Sequence, residues 1–413
     1  MPHLRARWYG RPAADPSILV ICMPSVAWLS QGKLFAKLEE AEEPVEIESP
    51  YAQSVRVRAT KIARRNAWKT QGRGARFMMG LGGAFADEAL ERDPGAIPIA
   101  FTGLCRGPRR GQVAYTLSSG VVSGLFLYDL SARDERRLFH GADAIVGDPA
   151  YHRDEDVFAC TVRGKGGFAH LALMRGDGSE LLEITEGEAV DGAPSWVPGA
   201  RAVVYQSCGI GRDASGSVAG FSPTAIHRLD VEEGEITTLL EEEGFDYGAP
   251  RMAADGSVYA IRRPIRRIQA PALWRVALDA LMFPFRLIWA FVQYLNFFSA
   301  RYSGKPLLRS GNAKARRADA RRMLVLGNLV DAARETDAED DEAPAVDPSS
   351  ELVRRKPGGE VETVARGVLY FDLCPDGSVV HSDGRSIVHR AADGATSAVA
   401  RGKYIHEIVA LAD

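Results

Sequence analysis

The sequence predicts an all-β protein: a six-bladed β-propeller closed by its N- and C-terminal strands, with helical insertions on one face. Two observations predict it. A hairpin pattern of alternating apolar strand, polar or glycine-rich turn and second short strand recurs six times along the 413 residues. Alternation around D-G, E-G or G-G turns marks hairpins. A second pattern, a short strand, a Pro/Asp/Gly turn and an apolar strand, precedes several of them. Together they make four antiparallel strands repeated at a period of roughly 35 to 55 residues, which is that of a propeller blade.

The elements follow in chain order. Residues 18–29, ILVICMPSVAWL, have the apolarity of a secretory leader. The run starts late, contains Pro24 and precedes no small-x-small cleavage site, so a strand is expected. The six hairpins are KLFAKLEEAEEPVEIE from Lys33, LFLYDLSARDERRLF from Leu125, AHLALMRGDGSELLEIT from Ala169, AIHRLDVEEGEITTLL from Ala225, ELVRRKPGGEVETVA from Glu351 and SIVHRAADGATSAVA from Ser386. The preceding pattern reads DPAYHRDEDVFACTV from Asp148, APSWVPGARAVVYQS from Ala193, APRMAADGSVYAIRR from Ala249 and FDLCPDGSVVHSD from Phe371. The final strand, YIHEIVAL from Tyr404, has no hairpin after it, and the first hairpin lacks a full set of strands before it. The two ends are therefore expected to complete one blade together, which removes free sheet edges.

These repeats resemble those of the TolB-like bacterial propellers (WD40-like, PD40 repeats), whose unit reads Pro-x-Trp-Ser-Pro-Asp-Gly before an apolar strand. Pro194, Trp196, Pro198 and Gly199 carry the match in one unit, and Pro375, Asp376 and Gly377 in another. The resemblance implies a platform for binding proteins or peptides and implies no reaction. The chain is expected to depart from TolB itself in having no export signal and in carrying two large insertions.

The repeat spacing delimits five segments. Residues 1–49 hold the first blade, completed by the C-terminal strand; 50–95 are a basic insertion; 96–264 are propeller blades. Residues 265–350 are a helical, apolar and basic insertion with an acidic linker, and 351–413 supply the remaining blades and the closing strand. The first insertion falls after a fourth strand and the second after a second strand. Antiparallel strands alternate in direction, so both should leave from one face, as should the Gly/Ser-rich loop CGIGRDASGSVAGFSPT from Cys208.

Net charge is −3, but its distribution is uneven. Residues 51–86 hold eight Lys or Arg and no acid, and residues 262–322 hold fourteen against Asp279 and Asp319. The rest of the chain then carries about −23, so a basic face on an acidic body is expected. Arg64, Arg65, Lys69, Arg73, Arg76, Arg316, Arg317, Arg321 and Arg322 are its candidate residues.

Residues 277–299, ALDALMFPFRLIWAFVQYLNFFS, are the most apolar stretch. Over 272–299 one long helix, or two meeting near Pro284, is predicted. Arg275, Asp279, Arg286 and Gln293 fall on one narrow stripe. The length permits a membrane span, but the insertion starts and ends in one blade, and the helix predicted from Asn312 is too charged to return. An in-plane anchor on an anionic surface or a seat in a partner or dimer groove is expected, through Trp274, Phe283, Phe285, Trp289, Phe291, Tyr294, Phe297 and Phe298. Packing of this helix against its own propeller is the third option. The acidic ETDAEDDEAPAVDPSS after it reads as a solvated linker.

Motifs for chemistry are sparse. There is no G-x-S-x-G, H-E-x-x-H or Walker sequence, and GRGARFMMGLGGAF from Gly72 lacks the strand–loop–helix context of a phosphate cradle. Cys22, Cys105, Cys160, Cys208 and Cys374 are odd in number and scattered, which fits a reducing compartment rather than a disulfide framework or zinc site. Asp154, Glu155 and Asp156 sit in an inter-strand turn. His170, His227 and His389 fall on third strands, away from a central channel. The expectation is a non-catalytic scaffold or sensor that docks a protein partner or an anionic membrane surface through its basic face, with no catalytic residue, metal or cofactor. It would be cytoplasmic, and peripheral on the inner membrane face where it docks a membrane. A channel-mouth enzyme of hydrolase or lyase type, or a nucleic-acid-binding propeller, is the alternative.

Overall fold

The computed structural model describes residues 24–70, 99–265, 322–331 and 345–411, apart from a few loop positions within them. The anchoring residues 274–298, together with Arg73, Arg76, Arg316, Arg317 and Arg321, lie outside the described residues.

All six predicted hairpins form. β1 (Val26–Ser30), β2 (Lys33–Lys37) and β3 (Val45–Ile47) make one sheet with the C-terminal strand β27 (Ile405–Ala410), in the order β27-β1-β2-β3. The pairing of β1 with β27 runs from Val26↔Ala410 to Ser30↔Ile405 and is antiparallel. The two ends of the chain therefore share a sheet, as the unpaired terminal patterns predict. β4 (Ala100–Arg106), β5 (Gln112–Ser118), β6 (Ser123–Asp129) and β7 (Asp134–Gly141) form a second four-stranded sheet. Two further units follow. β8 (Ile145–His152), β9 (Val157–Arg163), β10 (Ala169–Arg175) and β11 (Leu182–Glu183) make one; β12 (Ala189–Trp196), β13 (Ala202–Arg212), β15 (Ala225–Asp230) and β16 (Ile236–Leu240) make the other. A single parallel pairing, Ala169↔Val190, joins them into one nine-stranded sheet that also includes β14 (Val218–Phe221). The last two sheets are β17 (Phe245–Met252), β18 (Val258–Pro264), β21 (Glu351–Arg355), β22 (Val361–Arg366), and β23 (Tyr370–Leu373), β24 (Val379–Ser382), β25 (Ser386–Arg390), β26 (Thr396–Arg401).

Burial explains why the middle strands read as apolar runs. Val113–Leu117 of β5, Phe158–Val162 of β9 and Ala202–Tyr205 of β13 are buried without alternation. A strand covered on both faces has no reason to alternate. The outer strands β7, β22 and β26 are largely exposed and carry the charges that blunt a free edge. Clusters of apolar side chains cross from sheet to sheet. One brings together Trp28 and Ile408 of the terminal sheet, Ile261 and Leu352 of the β17–β22 sheet, and Phe371 and Val380 of the next.

The first strand of each unit, here β4, β8, β12, β17, β23 and β27, lies against the first strand of the next, and β27 returns to β4. Three of these lead strands carry the same irregularity. Their registers shift at Gly147/Ala150, Gly192/Ser195 and Gly248/Arg251. Asp148, Ala193 and Ala249 there adopt φ of 43°, 46° and 50°, each followed by a proline that needs no ladder partner.

Residues 48–99 lie between β3 and β4, and residues 265–350 between β18 and β21. The first opens as helix α1 (Pro50–Thr70), which has no acidic residue in its first turn. Its start is specified locally. Ser49 Oγ accepts the Ala52 N–H at 3.1 Å, Pro50 occupies the first helical position, and Glu135 of β7 accepts the Tyr51 N–H at 3.0 Å. Among its described side chains Tyr51 and Ala52 join the core, and Val57, Arg58 and Lys61 are exposed. Arg64, Arg65 and Lys69 fall within this helix.

Two expectations are corrected. Where a helix is predicted from Asn312, the described residues form strands β19 (Arg322–Val325) and β20 (Asn328–Asp331), which pair antiparallel from Arg322↔Asp331 to Val325↔Asn328. Arg322 opens the first of them. The apolar runs Met323–Val325 and Leu329–Val330 are short, and the charge-rich flanks obscured them. The loop from Cys208 is not irregular either. β13 runs on to Arg212 and β14 folds back on it, Ile210↔Phe221 to Arg212↔Val218, with Val218 and Phe221 exposed. Among the described residues no helix is long and apolar enough to cross a membrane.

Candidate binding site at the ends of the lead strands

The lead strands end around a cavity of about 1080 Å³. Arg106, Tyr151, Trp196, Arg251, Met252 and Leu373 line it from the strands, and the turns at Ala253–Asp255, Pro375–Gly377 and Ala391–Gly394 form its rim. These are connections after first and third strands. The insertions leave after second and fourth strands, so the cavity opens on the opposite rim.

The floor is a group of charges at the centre. Asp372 of β23 is 7% exposed. Its Oδ1 accepts Arg251 Nε–H at 3.1 Å, and its Oδ2 accepts Arg106 Nη2–H at 3.2 Å and the Ala410 N–H at 2.9 Å. One carboxylate thus ties together β4, β17, β23 and β27. Arg251 also donates through Nη2 to Tyr370 Oη at 3.1 Å and through Nη1 to the Pro250 carbonyl at 2.9 Å. Its guanidinium carbon stands 5.8 Å from the Tyr370 ring centre.

Other polar side chains hold neighbouring units together in the same way. Glu407 Oε1 accepts the Leu104 N–H at 2.9 Å, Asp148 Oδ2 the Ala193 N–H at 3.3 Å and Gln206 Oε1 the Ala249 N–H at 2.9 Å. The left-handed residues Ala193 and Ala249 are thus where the bulge turns an N–H towards the adjoining unit. Glycine at 103 is required by close approach: a Cβ there would lie 2.6 Å from Pro149 Cδ and 3.0 Å from the Asp148 N.

Burial shifts the acids. Glu407 is pushed up to about 8, first by burial and then by the Asp148 charge. Asp148 is raised by burial, against the hydrogen bond from Ala193. Cys105 beside them is also raised by burial, which makes it a poor nucleophile.

Asp148, Asp372 and Glu407 therefore converge, yet each already accepts a backbone N–H from another strand. No group of three or more His, Cys, Asp or Glu residues poised for a metal ion occurs among the described residues. His170, His227 and His389 lie on the third strands β10, β15 and β25 as predicted. His170 bonds Glu183 and the Gly187 carbonyl, and His227 bonds Thr238. Asp154–Asp156 belong to the turn between β8 and β9. Sequence reasoning missed Arg106, Arg251, Asp372 and Glu407. The thrice-repeated Gly-Asp/Ala-Pro of GDPAYH, GAPSW and GAPRM was a signal for Arg251, which follows the third copy, but not for Arg106, Asp372 or Glu407.

The sequence matches no established family profile and no curated protein. Solved structures with a similar fold include TolB from Acinetobacter baumannii, at 13% identity and a TM-score of 0.49, over 94% of this chain and 66% of that one. The nidogen/laminin complex matches at 8% identity and 0.49, over 94% and 98%. The tricorn protease matches at 11% and 0.45, over 91% and 33%. This chain spans just under two thirds of the A. baumannii TolB structure's length. The TolB-like β-propeller resemblance carried by the repeats recurs in these neighbours as a likeness of fold.

Proposed function

We propose that the chain is a six-bladed ring, closed by β27 against β1, that works as a non-catalytic binding platform for a protein partner. The observation that carries this reading is the cavity at the lead-strand ends. It is large enough for a peptide segment and has Trp196, Tyr151, Met252, Leu373 and several prolines among its walls. Its central carboxylate is already committed to two guanidiniums and a backbone N–H, so its floor is a fixed surface. The opposite rim, with residues 50–95 and 265–350, would dock the protein on an anionic membrane surface or a second partner. The basic helix α1 and the apolar 272–299 stretch support that part, and with it a place on the cytoplasmic face of a membrane. The domain boundaries given above are part of the proposal.

The test places a photo-crosslinking residue at Ala392 on the cavity rim and another at Arg58 on the insertion rim, in the full chain in native cells. A protein adduct at position 392, lost when Trp196→Glu is added, is expected. Adducts from position 58 alone would place docking on the insertion rim only. The convergence of Asp148, Asp372 and Glu407 favours a second reading, an enzyme at the channel mouth. That reading requires Asp372→Asn to abolish a hydrolase or lyase activity that the wild type possesses.

A further inference from the structure

We propose that the cavity floor is a carboxylate-binding site in which Arg106 meets the incoming anion, an inference that rests on reading the cavity as the seat of a protein segment. Arg106 is the last residue of β4, so its side chain leaves the sheet at the cavity. The side chain is 37% exposed. Only its Nη2 is engaged, to Asp372 and the Leu373 carbonyl. Its Nε and Nη1 have no hydrogen-bond partner among the described residues. Arg251, which shares the same carboxylate, uses Nε, Nη1 and Nη2. Every nitrogen of Arg251 is thus engaged, whereas Nε and Nη1 of Arg106 present three open N–H groups.

The charges around the floor point the same way. Arg106 and Arg251 share one close carboxylate, Asp372. Glu407 lies nearby but holds its proton near neutral pH because it is buried. Asp148 is turned to Thr161 and the Ala193 N–H, with Arg163 as a further cationic neighbour. A positive charge is left over where the protein thins the water, and an anion neutralises it. The rim carries Asp255, Glu362, Asp376 and Asp393 against Arg354 and Arg390, but its carboxylates are engaged, Glu362 with Arg354 and Lys356. Asp255 is bonded to Arg354 and Ser257, Asp376 to Ser378 and Asp393 to the Ala395 N–H. The cationic Arg390 lines the same cavity without an ion pair among the described residues. Carboxylates at the wall already have donors, whereas guanidinium N–H groups stay open. A planar guanidinium matches the oxygens of a carboxylate in shape and charge. Trp196, Tyr151 and the prolines would take the apolar remainder.

A carboxylate can come from a chain terminus, from an Asp or Glu side chain, or from a small organic acid. The experiment separates these. A randomised hexapeptide pool with free C-termini, and the same pool amidated, are equilibrated with the full chain and the retained peptides sequenced. In parallel, the Arg106 Nε–H resonance is followed during titration with acetate. A preference of about ten-fold or more for the free acid is expected, from charge-assisted bonds. It should vanish in Arg106→Gln and persist in part in Arg106→Lys, both retaining the wild-type melting profile. Amidated binders enriched in Asp or Glu would assign the carboxylate to side chains. An Arg106 shift with acetate but no retained peptide would assign it to a small acid and overturn the protein-segment reading instead. Equal retention of both pools without acidic enrichment overturns the carboxylate site and leaves the segment reading standing. No retention and no shift overturns both.

Discussion

Replacing Glu407 with glutamine should make the protein more stable, and increasingly so as pH rises. The side chain is buried, its Oε1 holds the Leu104 N–H at 2.9 Å, and burial with the nearby Asp148 charge pushes its carboxyl from 4.5 to about 8. Glutamine keeps an acceptor oxygen for that N–H and removes the charge. Below pH 4.5 the carboxyl is protonated in both folded and unfolded chains, and the two proteins should unfold alike. Between pH 4.5 and 8 the unfolded chain ionises while the folded one retains its proton, so wild-type stability falls. Above pH 8 the difference is constant. If Glu407 alone carried the whole shift, the plateau would be roughly 4 to 5 kcal/mol; shared with Asp148, about 2 kcal/mol is expected. Urea unfolding of both proteins at half-unit steps from pH 5 to 9 measures it, and the difference between them removes every other titration. A difference that stays flat across the range, or a less stable glutamine variant at pH 9, would refute the burial argument.

Asp372→Ala leaves Arg106, Arg251 and the Ala410 N–H without their acceptor and should cost about 3 to 5 kcal/mol in urea unfolding; a loss under 1 kcal/mol would mean water replaces it freely. Gly103→Ala drives a Cβ to 2.6 Å from Pro149 Cδ and 2.8 Å from Thr116 Oγ1, and about 1 to 3 kcal/mol should be lost; an unchanged melting curve would show that β4 and β8 can part there. His381, brought down to about 4 by burial, stays neutral in the fold, so its contribution is complete above pH 6.5 and is lost as pH falls towards 4. Imidazole NMR should find a midpoint well below 6, and a midpoint at its ordinary value would show that the ring is wet.

The repeats determined a great deal by themselves. An apolar strand around a D-G or E-G turn has few other stable conformations, so all six hairpins and the four preceding strand pairs were legible from local pattern. The leftover strand at Tyr404 and the incomplete first hairpin even indicated that the termini pair. Local pattern failed where competing signals overlapped. The basic run before Met323 hid a pair of short strands, and the glycines after Cys208 hid a strand extension. The binding site was not legible, for a different reason. Arg106, Arg251, Asp372 and Glu407 come from four strands spread over some three hundred residues of chain, and each is an ordinary charged residue near a strand end. Only the packing of the lead strands against one another brings them to one point. There, burial raises the acid of Glu407 and leaves two guanidiniums to share one carboxylate, and neither effect belongs to any residue alone.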